Sequence, residues 1–531
     1  MKKNLFILIL ISSFFAVSNA QQIHRAEFSI GGTGENGGNA LVRCHDGGYA
    51  VTGFTTAYGS GGADVYVLKL DSMFHLLWTK TIGGIGDEAG FSMVQTKDHG
   101  FAITGVSYSF GDIVNGDVYV IKLDSNGVIQ WTKTVGGAYE DVGNCIIQSK
   151  DGGYAIAGYT ASYGSGNYNM YVIKLDSAGN LKWTKVIGGI LSEKGYSIIQ
   201  SREGDYVITG NSESYGAGSV NIYLVKLDSA GTLKWTKTIG GTNSDAAYSI
   251  IQTHEGGYAI TGYTESYGIG IQDVYVLKVD TGGNLQWTKT IADSTGKDAG
   301  YAIIQTKDNG FCIAAITDYY DLGNATGYLI KLDSAGNLKW TKIVGGNRIL
   351  EFNSIVQSND GGYIALGSGT VFYIEKLDSS GNTCDTTSGV KYENSGGIIT
   401  TRDSGRIASG GSITSSDSGR VSSGGTISTI CGATGISNIP FVSSAIKLYP
   451  KPCTNTLTIN LDSPSILSEI QILDITGRVL FTDPVRTVQP GGHCPLSTDH
   501  YSIDVSSLSS GMYFIRINTG SGIEVQKFIK E

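Results

Sequence analysis

The amino-acid sequence predicts an all-β protein: a seven-bladed β-propeller closed by its own N-terminal strand and followed by a small C-terminal β-sandwich. Three observations predict it. All six tryptophans, Trp78, Trp131, Trp183, Trp235, Trp287 and Trp340, recur at steps of 52 or 53 residues, so one supersecondary unit is repeated. Each period holds four short β-branched or aromatic segments separated by turn residues, and four strands per period of this length describe a propeller blade. The copies are also unequal in number. The second-strand signature occurs seven times, at Tyr49, Phe101, Tyr154, Tyr206, Tyr258, Phe311 and Tyr363, whereas the tryptophan strand occurs six times. Residues 26–32 read as an isolated fourth strand. Residues 25–32 would therefore complete the blade begun by residues 351–380, pairing both chain ends and removing open edges.

Residues 1–20 read as a secretory signal peptide. Lys2 and Lys3 precede an apolar run from Leu5 to Val17, and small residues end at Ala20. Residues 21–382 hold the propeller. Glycine, at 76 of 531 residues, is about twice its usual share of roughly 7%, as tight turns between strands require. Within a period, residues 196–239 show the four segments plainly: Tyr196–Gln200, Tyr206–Gly210, Asn221–Leu227 and Leu233–Ile239.

Residues 383–440 break the pattern with Ser/Gly/Thr-rich sequence, in which 395–411 is echoed fourteen residues on by 409–425. So little apolar surface predicts a flexible linker, although the alternation of Ile398, Arg402, Ile407, Ile413 and Val421 leaves room for short β-turns packed on a neighbour. From 441 to 531 strand patterning returns as seven short segments, the pattern of a small β-sandwich.

The formal net charge of -9 argues against a nucleic-acid partner, which would call for a basic face. No stretch after the signal peptide approaches the 18 apolar residues of a membrane-spanning helix. Of seven cysteines, Cys44, Cys145 and Cys312 fall within repeats and read as small buried residues. Cys384 with Cys431 and Cys453 with Cys494 are candidate disulfides of an exported chain.

The period resembles the seven-bladed β-propeller repeats of exported bacterial proteins, with their glycine-rich second strand, Asp-x-Tyr/Phe-Val-x-Lys-Leu-Asp third strand and Gly-Gly ending. That resemblance implies a scaffold. The tryptophan core is also similar to the repeat of quinoprotein dehydrogenases, in which this residue packs between blades. No separate quinone or calcium site accompanies it here, so no cofactor and no metal are expected, and the six tryptophans read as inter-blade packing residues. The C-terminal segment resembles the type A sorting domain of the type IX secretion system: Tyr449-Pro450, Ile470 to Asp474 with Gly477 and Arg478, Leu508 to Ile517, and a terminal Lys527 to Lys530 follow its order. Lys451 stands where the family usually has asparagine, and 484–500 reads as an insertion. The resemblance implies that residues 441–531 engage the type IX machinery, giving a secreted or outer-surface protein that passes through the periplasm.

Candidate ligand contacts come from loops joining second and third strands. Tyr58, Phe110, Tyr163, Tyr215, Tyr267 and Tyr320 occupy one equivalent position, and a ring of flat amphipathic faces suits sugar or peptide ligands. Glu213, Glu265 and Asp318 form a further set. Glu88, Asp141, Glu193, Asp245 and Asp298 recur before the first strands, where a carboxylate commonly accepts turn hydrogen bonds. No residue pattern singles out a catalytic constellation. The expectation is a non-enzymatic binding or adhesion scaffold for a glycan or surface protein; the alternatives are a propeller glycoside hydrolase or polysaccharide lyase, and a structural envelope spacer.

Overall fold

A computed structural model describes residues 26–382 apart from 32–33, 269, 293–295, 318–325, 345–350 and 369–371; the backbone of seven short stretches between 386 and 432; and residues 446–449, 454–461, 467–473, 479–483, 500–519 and 522–530. The expected signal peptide, Asp318, Tyr320, residues 484–499 of the expected insertion and the side chains of the four paired-cysteine candidates lie outside the described residues. The chain divides into two compact units, 1–433 and 434–531. All its described regular elements are strands.

In the first unit each repeat is an antiparallel sheet whose strands follow chain order. The third repeat is representative, with Asp141–Gln148, Tyr154–Thr160, Asn169–Leu175 and Leu181–Gly188. Six such blades run from residue 36 to 344, and a seventh combines Glu351–Gln357, Tyr363–Ser368 and Phe372–Leu377 with Ala26–Gly31. In the seventh, Phe28 pairs with Ile374. The first strand of each blade lies beside the first strands of the blades before and after it, and the seventh lies beside the first, so these strands line a closed central channel. Third strands such as Asp117–Leu123 are buried along their whole length because neighbouring blades cover both faces. That is why they read as near-continuous apolar runs without alternation. Core clusters accordingly span two blades. One joins Leu41, Tyr66 and Leu68 of the first blade to Ile364, Leu366 and Ile374 of the seventh.

The tryptophans pack between blades. Trp131 meets Tyr154 of the next blade edge-on at 5.6 Å, and Trp183 meets Tyr206 at 5.9 Å. The third–fourth strand turn of the next blade covers the indole through a glycine of positive φ; a Cβ on Gly179 would lie 3.0 Å from Trp131. One junction departs from this rule. The fourth strand of the seventh blade has no tryptophan, and Phe74 replaces the covering glycine in the first blade at φ 65. Its ring fills the gap, stacked on Phe28 at 4.8 Å and Tyr49 at 5.1 Å. A non-glycine residue held at positive φ is strained, and here the packing holds it.

The Ser/Gly/Thr-rich segment corrects the expected flexible linker. Seven short strands, Thr386–Ser388, Tyr392–Asn394, Ile398–Thr400, Arg406–Ala408, Ser412–Thr414, Arg420–Ser422 and Thr426–Gly432, pair antiparallel with the fourth strands of blades six, five, four, three, two, one and seven in turn. The segment thus runs around the ring as a belt, against the order of the blades. Its last strand covers Ala26–Gly31, which lies between it and Phe372–Leu377. The fourteen-residue repeat equals two blades of travel. The physical reason is the edge: each fourth strand ends in backbone groups without a ladder partner, and a strand of three residues supplies one without needing an apolar core of its own.

The second unit contains a three-stranded sheet of Ile446–Tyr449, Thr456–Leu461 and His500–Asp504, and a four-stranded sheet of Val479–Asp483, Leu467–Leu473, Gly511–Thr519 and Gly522–Lys530. Leu457, Ile459 and Ile503 from one sheet pack with Ile470, Ile472, Ile515 and Phe528 from the other, giving a sandwich.

Candidate functional site

Every blade carries a β-bulge at one place. In the third, Gly143 pairs with Gly158 and Cys145 with Ala157, leaving Asn144 as the extra residue. The equivalent residues are Asn39, Phe91, Tyr196, Tyr248, Tyr301 and Asn353. A bulge redirects a side chain out of the strand's alternation, and it occurs here on the channel-lining strands. The asparagines bridge to the next blade: Asn39 Nδ2 donates to Gly90 O at 2.9 Å, Asn144 Nδ2 to Gly195 O at 2.8 Å and Asn353 Nδ2 to Gly38 O at 3.0 Å. Elsewhere aromatic rings meet, Tyr196 on Tyr248 at 5.2 Å and Tyr248 on Tyr301 at 5.0 Å.

On blades two to four these residues border an open cup of about 320 Å³ lined by Phe91, Val106, Tyr108, Glu140, Val142, Asn144, Tyr159, Lys194 and Tyr196. The Lys194 ammonium lies 4.3 Å from the centre of the Tyr159 ring and 4.2 Å from that of Tyr168, and the two rings stand nearly perpendicular, 5.1 Å apart. Each contact is a cation–π geometry. Glu140 stands beside the Tyr168 phenol; it is the main cause of that group's raised pKa, with burial second. The Tyr196 phenol is pushed up to about 12, chiefly by burial. The cup thus offers apolar ring faces, one cation and one carboxylate in half-buried surroundings, a combination that can stack a flat ligand and orient it through polar groups. Exposed apolar side chains collect on the same loop end: Ile85, Ile113, Val114, Tyr139 and Ile190.

The six aromatic positions singled out from sequence serve a different purpose where they are described. Tyr163 Oη donates to Gly136 O of the preceding blade at 2.8 Å, Tyr215 to Gly188 O at 3.1 Å, Tyr267 to Gly240 O at 3.1 Å and Tyr58 to Gly31 O at 3.3 Å. Their rings lie against buried tyrosines of the third strand, as Tyr215 does on Tyr223 at 5.7 Å, and Phe110 packs likewise on Tyr119 at 5.6 Å. They clasp adjacent blades.

The recurring acids are buried loop fasteners. Glu193 Oε2 accepts Gly189 N–H at 2.6 Å, while its Oε1 accepts the Ser212 hydroxyl at 2.8 Å and Ser214 N–H at 3.0 Å. Glu88 makes the same set with Gly84, Ser107 and Ser109, Asp245 accepts Gly241 N–H and the hydroxyls of Thr264 and Ser266, and Asp141 accepts Gly137 N–H and the Ser162 hydroxyl. Asp298 is likewise fully buried. Glu213 is exposed, and Glu265 accepts from Gln272 Nε2 at 3.1 Å. Cys44, Cys145 and Cys312 are free thiols, with Cys44 pushed up to about 11 and Cys312 to about 12 by burial. Among the described residues no cluster of three or more His, Cys, Asp or Glu side chains forms a metal site, and no helix is long and apolar enough to cross a membrane.

The cup residues were not among the sequence candidates. For Phe91, Asn144 and Tyr196 the signal is variation: the bulge position changes between Asn, Phe and Tyr from blade to blade, while the residue before it is glycine in five of the seven. The repeat pattern itself hides it.

Residues 447–531 match the family of secretion system C-terminal sorting domains. The C-terminal unit is thus a type IX sorting domain, and the chain is exported, to be secreted or held at the surface. A stretch of 192 residues is 26% identical to the regulatory protein FlaEY of Caulobacter vibrioides, covering 31% of this chain and 20% of that protein. The match spans about a fifth of the relative's length. Among solved structures, Sqt1 from Chaetomium thermophilum is similar at 12% identity over 65% of this chain and 82% of its own, with a TM-score of 0.40. YCF48 bound to a D1 peptide is similar at 11% identity over 67% and 96%, with a TM-score of 0.37. At such scores neither fold nor function is argued from them; the fold rests on the strand pairings above.

Proposed function

We propose that the exported chain is a non-catalytic binding protein whose propeller holds a glycan or a surface protein in the cup of blades two to four, after passage through the periplasm. The observation that carries this reading is the meeting of Phe91, Tyr108, Tyr159 and Tyr196 around an open cavity edged by Lys194 and Glu140. Tyrosine faces give large contact area at little conformational cost and stack well on sugar rings or peptide groups. A single carboxylate in the cup lining also supports binding over glycoside hydrolysis, which ordinarily takes a pair. The apolar rim of Ile113, Val114, Tyr139 and Ile190 favours a protein among the two ligand classes.

The test is a binding screen of the secreted protein against glycans and surface proteins, repeated with Tyr159→Ala and Tyr196→Ala. Both variants are expected to bind the ligand about tenfold more weakly, while Tyr215→Ala keeps it wherever it folds. Unchanged binding in the cup variants defeats the proposal, and release of sugar from a glycan replaces it with the hydrolase or lyase. Failure of every ligand class leaves the structural spacer. Deleting residues 441–531 is expected to leave the protein in the periplasm, and normal export of that variant overturns the address.

A further inference from the structure

The opposite end of the channel carries a second constellation, built from the turns between first and second strands. The second residue of each turn is His45, Lys97, Lys150, Arg202, His254, Lys307 or Asn359, and every one is exposed. Their backbones are strung together. His45 N–H donates to Gln95 Oε1 of the next blade at 2.8 Å, Lys97 to Gln148 at 2.8 Å, Lys150 to Gln200 at 2.7 Å, Arg202 to Gln252 at 2.9 Å, His254 to Gln305 at 2.8 Å and Lys307 to Gln357 at 2.9 Å. At the seventh step Arg43 stands in place of glutamine, and its guanidinium reaches Asn359 Oδ1. The circuit closes with an added cation.

The side chains continue around the same circle. Lys97 Nζ donates to Lys150 O at 3.3 Å, Lys150 Nζ to Arg202 O at 2.5 Å, Arg202 Nη1 to His254 O at 2.8 Å and Lys307 Nζ to Asn359 O at 3.0 Å. Carbonyl acceptors fix these groups in place without cancelling their charge. The carboxylates of the same turns are committed elsewhere, to lysines of the third strands: Asp46 to Lys69 at 2.8 Å, Asp98 to Lys122 at 2.9 Å, Asp151 to Lys174 at 2.9 Å, Asp205 to Lys226 at 3.3 Å, Glu255 to Lys278 at 3.2 Å, Asp308 to Lys331 at 3.0 Å and Asp360 to Lys376 at 2.9 Å. Within these turns Glu203 is the carboxylate that remains beside the ring, while just outside it Asp71, Asp124, Asp176 and Asp280 of the third–fourth strand turns adjoin the same end, each accepting N–H groups of its own turn. Against Glu203 stand Arg43, Lys97, Lys150, Arg202 and Lys307, in a chain of net charge -9.

We propose that this ring is a binding site for an anionic polysaccharide, a linear chain bearing carboxylate or sulfate groups on its sugars. Cations gathered on the innermost turns, inside the circle of aspartates, concentrate anionic groups locally. Guanidinium and ammonium groups already held by carbonyls need little ordering to meet anionic groups. A nucleic acid fits less well, because single strands also require aromatic platforms for the bases, and those lie at the other end of the ring. The site is independent of the aromatic cup.

The experiment measures binding of polygalacturonate and of a sulfated glycosaminoglycan to the full-length secreted protein across a salt series, with neutral dextran and single-stranded DNA as comparisons. Tight binding at low salt, weakening steeply as salt rises, is expected for the two anionic glycans alone. A combined variant, Lys97→Gln, Lys150→Gln, Arg202→Gln and Lys307→Gln, should bind at least about tenfold more weakly with a flatter salt dependence. The single Lys150→Gln change should weaken binding about twofold to threefold and serves if the combined variant does not fold. Removing as many charges from the fourth strands, with Lys80→Gln, Lys133→Gln, Lys185→Gln and Lys289→Gln, should leave binding intact. Absence of glycan binding, equal loss in both combined variants, or equal affinity for DNA each overturns the proposal.

Discussion

The two ends of the ring are made from the same repeat and treat it in opposite ways. At the turn end the blades spend their side chains nearly alike: in six of them a glutamine accepts from the neighbouring turn, with Arg43 in the seventh place, and in every blade a third-strand lysine takes the turn carboxylate. At the loop end the shared residues are hidden, the fastening acids and the clasping tyrosines, while the residues in the open differ from blade to blade. Repetition builds the ring, and departures from repetition make its surfaces particular. Position in the repeat is thus a poor guide to ligand contact unless burial is known as well.

The sharpest test of that contrast compares two glutamates of one blade. Glu193→Ala removes three hydrogen bonds and strands the buried Gly189 N–H, while Ser214 N–H keeps its bond to Ser212 Oγ, so it should lower unfolding stability by about 3 kcal/mol. Glu213→Ala, at an exposed site, should stay within about 0.5 kcal/mol. Denaturant titration of both variants checks it, and equal effects would break the division between fastening and open residues. A second pair separates clasp from cup. Tyr215→Ala should cost about 2 kcal/mol of stability through lost packing on Tyr223, with ligand binding kept, whereas Tyr159→Ala should weaken ligand binding about tenfold at a smaller loss of stability. Thermal melts and binding isotherms on the same samples read both.

The architecture was largely legible in the sequence because a repeat multiplies weak signals. One blade's four segments are ambiguous alone, but copies at a common interval fix the period, and the missing tryptophan strand points to the N-terminus. The belt was not legible. A three-residue strand has no periodicity of its own, and its fourteen-residue repeat matches two blades of travel, a relation visible only once the ring is known. The cup was hidden for a related reason. A bulge takes Phe91, Asn144 and Tyr196 out of the two-residue alternation, so pattern reading cannot assign their direction, whereas the recurring Tyr163, Tyr215 and Tyr267 stood out precisely through their repetition as structural clasps.

A subtler difference lies between blades at the start of the third strand. Asp64 and Asp117 are almost fully buried there, beside Glu88 and Asp141 of the next blade, whereas blades three and four place Asn169 and Asn221 at the same position. Burial pushes Asp64 and Asp117 up to about 6, with the neighbouring carboxylate adding to the effect. The folded pKa lies above the unfolded value near 4. The folded state therefore keeps protons that the unfolded chain releases, and stability falls as pH rises from about 4 to about 6. Asp64→Asn and Asp117→Asn should remove that fall, gaining about 1 kcal/mol each at pH 7 and little at pH 4. Urea titrations at the two pH values measure the gain, and an equal change at both would show that packing, not ionisation, governs the site.

The smallest effect isolates one hydrogen bond of the clasp. In Tyr215→Phe the ring remains on Tyr223 and the Gly188 carbonyl loses its donor at the edge of the loop end. Because Tyr215 is only half-buried, water can approach the freed carbonyl, and the expected loss is about 0.5–1 kcal/mol. Phe110 shows that the ring alone is tolerated at this position, since the second blade packs it on Tyr119 without a hydroxyl. The reciprocal change, Phe110→Tyr, places a hydroxyl where four other blades use one and should recover a similar amount. Opposite signs in paired melts would establish the phenol as a fastening between blades; a stability unchanged by either substitution would leave ring packing as the whole of the clasp.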